Sequence, residues 1–214
     1  CPLRAARGIP GKHAGCHRCD GCAPAERVDA KSLTDRTGAS FPLRRLATPD
    51  GCVIRLLNSV PLMTLRRIRR LPRAEGWRVI HVIRQHRRDG SDVEIGRAPL
   101  FTQGAGICVP GTKGADIVDE LAPLPNETIL RKLRFSAFFR TELDMILRRL
   151  KIDTLLIAGT QYPNCVRGTA TDAMSHDYNT IVVTDACSAQ TDEIAATNIR
   201  DMKNMGITCV TLAE

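Results

Sequence analysis

The sequence contains no long hydrophobic run and few aromatic residues. No apolar stretch approaches the roughly 18–20 residues that a transmembrane helix needs. The first ten residues carry charge but no apolar core of the kind found in secretory signals. These absences argue against a membrane protein and a secreted protein, so we expect a cytoplasmic protein with no membrane partner.

Acidic residues are scarce in the first third of the chain. Residues 1–78 contain 16 Lys and Arg but only 6 Asp and Glu, whereas residues 79–214 contain 15 and 17. The difference indicates two segments with different roles. A basic segment is able to bind RNA or another polyanion, although an Arg-rich helix is often simply solvated.

Nine cysteines are present, but their odd number and scattered spacing argue against a disulfide scaffold. Cys16, Cys19 and Cys22 are each separated by two residues, and His13 and His17 lie beside them. This spacing is typical of zinc or iron–sulfur ligands. A second C-x2-C pair is missing, so the segment is either a metal site or an incomplete one.

Short apolar strands alternate with amphipathic helices from residue 77 onward. Such alternation predicts βαβ units, and hence an α/β fold in which helices flank a parallel sheet. The functional site is then expected at the carboxyl ends of the strands. The polar loop at 84–94, with His86 and Asp89, is predicted to be solvated rather than a metal site. Strands are predicted at 52–58, 77–83, 128–132, 153–160, 179–187 and 207–213, and helices at 64–77, 113–121, 140–151, 164–177 and 191–205.

Cys165 follows the strand at 153–160 and opens the next predicted helix. A thiol at a helix N-terminus is favoured as the thiolate, and the neighbouring backbone amides are able to hold an oxyanion. Lys132 ends a parallel strand, so we expect it at the same sheet edge, where it can pair with the thiolate. A buried structural cysteine and a solvated lysine are the alternative interpretations.

The motifs PGTKGADIVDELAP, RKLRFSAF and GTQYPNCV resemble, in this order, the isochorismatase-like cysteine hydrolase family. The resemblance covers about residues 77–214 and implies a three-layer α/β fold with an Asp–Lys–Cys triad, in which Lys132 and Cys165 are the Lys and the Cys. It also implies a cis peptide bond between Thr160 and Gln161, with the amides of Gln161 and Cys165 as oxyanion donors. By family position, the residues expected around the substrate pocket are Arg88, Arg97, Phe135 and Tyr162.

The Asp of that triad has no counterpart in the sequence. In the family it follows the first strand, whereas the strand at 77–83 resembles the second. A sheet without its central first strand leaves apolar edges unpaired, which is costly. We therefore predict that residues 53–58 enter the sheet between the strands at 77–83 and 153–159. Asn58 would then take the place of the Asp, and its amide is unable to accept a proton at neutral pH.

The N-terminal segment resembles a second family. CPLRAARG, GCHRC, LTDRTGASFPL and CVIRLLNSVPLM are similar to the C-terminal region of bacterial collagenase-like peptidases. Some members of that family hold an iron–sulfur cluster with four cysteines, and Cys1, Cys16 or Cys19, and Cys52 match three of those positions. The chain is thus divided into a Cys-rich segment at 1–70 and a hydrolase domain at 71–214, through a natural fusion, a deletion or a gene-model error.

Three functions are compatible with these features. The first is a cysteine hydrolase that acts on a small amide, carbamoyl or vinyl-ether substrate through a covalent thio-intermediate. We expect this hydrolase to be a homo-oligomer, with no cofactor in the hydrolase domain. The second is a scaffold that has lost its activity together with the triad Asp. The third places the function in the basic Cys-rich segment, as a metal- or RNA-associated module.

Overall fold

A computed structural model describes residues 51–57, 77–104 and 106–211, and in it six parallel strands form one sheet. The order of the strands in the sheet is β3-β2-β1-β4-β5-β6. The predicted parallel α/β fold is thereby confirmed, and every strand predicted from residue 77 onward is present. The strands are β1 (Gly51–Leu56), β2 (Arg78–Arg84), β3 (Thr128–Lys132), β4 (Thr154–Thr160), β5 (Asn179–Ser188) and β6 (Thr208–Val210).

β1 occupies the centre of the sheet. It pairs in parallel with β2 on one side and with β4 on the other, so that Val53 is opposite both Val79 and Leu156. All six of its residues are buried. The predicted insertion is therefore confirmed for residues 53–56, whereas Asn58 lies outside the described residues. The sheet thus includes residues that precede the predicted domain boundary at 70/71.

Helices cover one face of the sheet through apolar side chains. Leu143, Ala170 and Met202, each from a different helix, share one core with Ile54 and Leu130 of the strands. None of the helices in the described ranges is long and apolar enough to cross a membrane. The helices are α1 (Ala98–Thr102), α2 (Leu143–Arg149), α3 (Arg167–Ser175) and α4 (Asp192–Asn204).

The opposite face is packed by residues from the connecting segments. Leu121 is fully buried there, and Trp77 and Ile117 pack partly buried against the same core, which includes Val53 and Leu156. Side chains that alternate along each strand reach the two faces in turn, so β1 contributes to both cores. The basic helix predicted at 64–77 lies almost wholly outside the described residues.

The segment at 113–121, predicted to be a helix, is instead a series of turns. Thr112 and Ala115 donate backbone hydrogen bonds to carbonyl groups three residues earlier, and Gly111 has a φ of +80°. A single 3-10 turn at Asp119–Leu121 ends the segment. The prediction of a helix is therefore wrong here, because turns bring the apolar residues to the sheet without a helical repeat.

Candidate active site

The candidate nucleophile lies in a turn directly after the central strand β4. The peptide bond between Thr160 and Gln161 is cis, at the position that the family resemblance implies. A π-helical turn at Tyr162–Val166 follows, and half-buried Cys165 is its fourth residue. The α-helix begins only at Arg167, so Cys165 lies in the wider turn before it. Turns of this kind are frequently found at functional sites.

Lys132 reaches the same place from the other half of the sheet. It ends β3, which is separated from β4 by β2 and β1. Lys132 is 2% exposed, and its Nζ donates a hydrogen bond to the carbonyl oxygen of Phe135. Its amine also interacts electrostatically with the thiol of Cys165. Burial lowers the pKa of Lys132, and the charge and hydrogen bond of Cys165 oppose that shift. The amine of Lys132 is therefore shielded from water, whereas the thiol of Cys165 is half-buried.

Phe135 connects this pair to two arginines. The guanidinium carbons of Arg84 and Arg97 each lie 5.0 Å from the centroid of its ring. A Cβ atom built on Gly168 would lie 3.6 Å from the Cβ of Phe135, so Phe135 also packs against the first turn of α3. Phe135 thus contacts both the arginines and the helix that follows the candidate nucleophile.

A largely buried ion pair holds one of the two arginines. Arg84 donates from Nη1 to Oε1 of Glu94 at 2.9 Å, and the two side chains are 4% and 19% exposed. Burial raises the pKa of Glu94, but a backbone hydrogen bond and the charges of Arg84 and Arg97 outweigh it, so the pKa lies below its ordinary value. Glu94 is therefore ionised at neutral pH and orients Arg84.

A second thiol, Cys108, lies in the same electrostatic environment. It is a half-buried loop residue whose carbonyl oxygen accepts a hydrogen bond from the backbone of His86 at 3.0 Å. Burial raises the pKa of Cys108, the charges of Arg84 and Arg97 lower it, and the charge of Cys165 raises it further. Because the charges of Arg84, Arg97 and Cys165 all act on Cys108, these groups lie near one another and form one candidate site.

His86 is buried, although the surrounding loop at 84–94 has a polar sequence. Its exposure is 1%, its Nδ1 lies 3.3 Å from Oδ1 of Asp92, and its ring meets Phe101 edge-on at 6.0 Å. Burial and the charge of Arg84 lower the pKa of His86, against the opposing effect of two carboxylates. The prediction of a solvated loop is therefore wrong at His86. Across the described ranges, no three His, Cys, Asp or Glu side chains are placed to hold a metal ion.

Of the four residues expected around the pocket, two lie at this site. Arg97 contacts Phe135, and Phe135 contacts Lys132. Arg88 is exposed in the loop after β2. Tyr162 is 1% exposed, and its hydroxyl donates to the carbonyl oxygen of Thr184 at 2.7 Å. The prediction that the side chain of Tyr162 lines the pocket is therefore wrong, since it packs in the core and supports the turn from behind.

Cys52 is placed as a core residue, contrary to its prediction as a metal ligand. It lies in β1, is 0% exposed, and its Sγ is directed at the carbonyl oxygen of Val53 at 3.8 Å. Burial raises the pKa of Cys52 to about 12, which disfavours the thiolate that a metal needs. The other cysteines of that prediction, Cys1, Cys16 and Cys19, lie outside the described part of the chain.

Three residues of the site were not predicted from the sequence, namely Arg84, Glu94 and Cys108. The register of the sheet places Arg84 directly beside Lys132. Both residues end a parallel strand at the sheet edge where the candidate nucleophile lies, so the reasoning that identifies Lys132 from the sequence applies equally to Arg84. Glu94 and Cys108 follow from loop contacts, for which the sequence offers no signal.

Comparisons with known proteins agree on one family. The model of the isochorismatase domain matches residues 62–214. A probable inactive nicotinamidase of Arabidopsis thaliana is 44% identical over 151 residues, which cover 69% of this chain and 77% of that protein. A maleamate amidohydrolase of Pseudomonas putida is 33% identical over 117 residues, covering 55% of this chain and 53% of that protein. The chain therefore spans only about half the length of the amidohydrolase.

Solved structures show the same likeness. An isochorismatase family protein of Desulfovibrio vulgaris is 50% identical with a TM-score of 0.72, covering 76% of this chain and 94% of that one. N-carbamoylsarcosine amidase of Thermoplasma acidophilum is 27% identical with a TM-score of 0.64, covering 77% and 98%. These comparisons give no support to the resemblance between residues 1–70 and the collagenase-like peptidases.

Proposed function

Because the chain belongs to the isochorismatase family, we propose that it is a cysteine hydrolase that cleaves a small amide or carbamoyl substrate through a covalent thio-intermediate. The observation that carries the proposal is the buried contact between Lys132 and Cys165 at the carboxyl ends of β3 and β4. An amine held against a thiol, away from water, can take and return the proton that nucleophilic catalysis has to move.

The first half of the reaction forms the thio-intermediate. Lys132 accepts the proton of the Cys165 thiol, and Sγ attacks the carbonyl carbon of the substrate. The carbonyl electron pair moves to the oxygen, which we propose is held by the amides of Gln161 and Cys165. As the C–N bond breaks, the Lys132 ammonium gives its proton to the leaving nitrogen.

The second half releases the product. Water attacks the thio-intermediate and loses a proton to the neutral amine of Lys132. The C–S bond then breaks, and the thiolate of Cys165 recovers its proton from the ammonium. Burial supports this role because it lowers the pKa of Lys132 and so favours the neutral amine, which is the form that accepts a proton. Within the described part of the chain, no carboxylate is hydrogen-bonded to Lys132 to take the proton instead.

The relatives support the choice of bond. Those with a stated substrate include the maleamate amidohydrolase and an N-carbamoylsarcosine amidase of Arthrobacter, which is 28% identical over 142 residues. We propose no cofactor for the described domain, since the thiol, the amine and the backbone amides complete the reaction between them.

A panel of small amides and N-carbamoyl compounds tests the proposal. We expect wild-type protein to release ammonia from at least one member and Cys165→Ala to release none. Rapid acid quenching followed by mass spectrometry should place the substrate acyl or carbamoyl mass on Cys165. If no compound releases ammonia and none leaves an adduct, the protein is not this hydrolase.

A second candidate is a non-catalytic scaffold, in which the domain retains its fold as a homo-oligomer but not its turnover. It is favoured by the 44% identity to a relative named a probable inactive nicotinamidase. Light scattering on the wild-type protein, run beside the substrate panel, separates the two candidates. A stable oligomer without ammonia release would support the scaffold, and ammonia release abolished by Cys165→Ala would reject it.

A further inference from the structure

Two guanidinium groups lie over one aromatic ring beside the nucleophile, and the reaction above uses neither. Arg84 and Arg97 each approach the Phe135 ring to 5.0 Å from its centroid. An aromatic face attracts a cation and fixes the plane of a guanidinium group that rests on it. Phe135 is 38% exposed, so a small molecule is able to reach this surface. We call these three residues the arginine cluster.

Of the cations that contact Phe135 in the described part of the chain, Arg97 is the one whose side chain has no hydrogen-bonded partner. Lys132 and Cys165 interact with each other and share one proton in the proposed reaction, so together they carry no net charge. Arg84 pairs with Glu94 at 2.9 Å. Arg97 is half-buried, and within the described ranges its side chain forms no hydrogen bond or ion pair. Arg97 therefore supplies a surplus positive charge, held in place by the ring beneath it.

Arg97 and the Lys132–Cys165 pair share a neighbour, Phe135. Phe135 touches Arg97 with its ring and accepts a hydrogen bond from Lys132 with its carbonyl oxygen. The same residue thus contacts both Arg97 and the amine of Lys132, which interacts with Cys165. Cys108 gives separate support for this proximity, because the charges of both Arg97 and Cys165 act on its thiol.

We propose that Arg97 binds a carboxylate of the substrate, so that the substrates are small anionic amides or carbamoyl compounds rather than neutral amides. The carbonyl to be cleaved lies at Sγ of Cys165, the carboxylate lies at the guanidinium of Arg97, and Phe135 forms the surface between them. A planar guanidinium donates two parallel hydrogen bonds to a carboxylate, which a lysine does not. Arg84 is held by Glu94 and fixes the second side of the Phe135 ring. This inference rests on the proposed hydrolase function for the position of the cleaved bond.

Alkylation of Cys165 tests the anion site without requiring turnover. Iodoacetate and iodoacetamide bring the same reactive carbon to the thiol, but only iodoacetate carries a carboxylate. Mass spectrometry gives the ratio of their rates in wild type, Arg97→Gln and Arg131→Gln. Arg131 precedes Lys132 on β3 and is exposed, so the control removes an equal charge away from the site. We expect the ratio to fall about threefold to tenfold in Arg97→Gln and to be unchanged in Arg131→Gln.

A second measurement uses the wild-type protein alone and so does not depend on how a variant folds. Malonate, a small dicarboxylate, should slow the labelling of Cys165 by iodoacetamide, whereas the neutral diamide malonamide should not. An unchanged ratio in folded Arg97→Gln, an equal fall in both variants, or equal protection by malonate and malonamide would overturn the anion site.

These outcomes are distinguishable from a failure of the hydrolase proposal. A lowered ratio in Arg97→Gln without ammonia release from any substrate leaves the anion site standing and rejects the hydrolase. Ammonia release from neutral amides together with an unchanged ratio rejects the anion site alone.

Discussion

A Cβ atom built on Gly159 of β4 would lie 2.1 Å from the carbonyl oxygen of Leu56 in β1. Gly159 has a φ of +129°, and the pairing between β4 and β5 is irregular at this residue. Because Gly159 has no side chain, β1 can approach β4 closely at the residue that precedes the Thr160–Gln161 peptide bond. This one glycine therefore serves both the central strand pairing and the turn that carries Cys165.

Replacement of Gly159 by Ala should destabilise the fold. The new methyl group meets backbone rather than a flexible side chain, and the positive φ disfavours any L side chain, so we expect a loss of about 2–4 kcal/mol. Gly96→Ala is the matched control, because a Cβ at Gly96 meets no atom within 4 Å. Urea unfolding of both variants measures the effect, and equal stabilities would show that β1 and β4 are able to separate at no cost.

Cys165 should be alkylated faster than Cys187 and Cys209. Burial raises the pKa of Cys187 to about 12 and that of Cys209 to about 11, and both lie within strands. Cys165 is half-buried, so reagent reaches its thiol more easily than the buried thiol of Cys187, and it lies in the turn after β4 rather than within a strand. Competitive iodoacetamide labelling with peptide mass spectrometry gives the order. Slower labelling of Cys165 than of either strand cysteine would contradict the assignment of the nucleophile.

Lys132→Ala should abolish hydrolysis, whereas Lys151→Ala should not. Removal of a positioned proton acceptor typically costs about 10²–10⁴ in rate. Lys151 follows α2 and is exposed, so its loss changes charge and length without touching the site. Ammonia release from the best substrate of the panel gives the two rates. Similar losses in both variants would mean that Lys132 has no special role.

Asn58→Asp should raise hydrolysis about tenfold, because it restores a carboxylate able to accept a proton. β1 ends at Leu56, two residues before Asn58, and lies between the strands that carry Lys132 and Cys165. Asn204→Asp, at the exposed end of α4, introduces the same charge elsewhere and should leave the rate unchanged. The rate of ammonia release is measured for both variants under the same conditions. An unchanged rate in Asn58→Asp would show that Asn58 does not lie at the site.

The fold should lose stability in mild acid through His86. Its pKa lies below the ordinary value of 6.5 because it is buried and faces Arg84, so the unfolded chain binds a proton that the folded chain does not. The stability that neutral His86 provides is therefore complete above about pH 6.5 and declines as the pH falls below it.

His86→Gln should flatten this decline, even though the substitution lowers stability at every pH. His176→Gln is the control, since the side chain of His176 is 45% exposed. Urea unfolding between about pH 5 and 8 gives the slope of the unfolding free energy against pH for each variant. A slope in His86→Gln as steep as that of wild type would exclude His86 as its source.

The strands of this fold are predictable because each is a short apolar run with polar neighbours. β1 is also predictable, but from the rest of the sheet: a parallel sheet with a central gap needs an apolar strand, and residues 53–58 are the segment that fits. The helix predicted at 113–121 fails because Ile117 and Leu121 have a helical spacing but not a helical backbone. Val118 between them is extended, with φ −62° and ψ 146°.

The site is predictable only where it depends on strand ends. Lys132 and Cys165 are identified because parallel strands bring their carboxyl ends to one edge. Glu94 reaches Arg84 by folding back across ten residues of loop, and His86 is buried by Phe101 from α1. Those contacts depend on tertiary packing, so a polar loop sequence gives no sign of them.

The strand order also determines when the pairing of the sheet can be completed during synthesis. β1 leaves the ribosome before β2 and β3, but its other neighbour, β4, follows about 100 residues later, and non-local pairing of this kind slows folding. Until β4 emerges, one edge of β1, a strand whose six residues are all buried in the folded protein, has no native neighbour. We therefore expect the protein to depend most on a chaperone during the stage of synthesis before residue 154, when β4 has not yet been made.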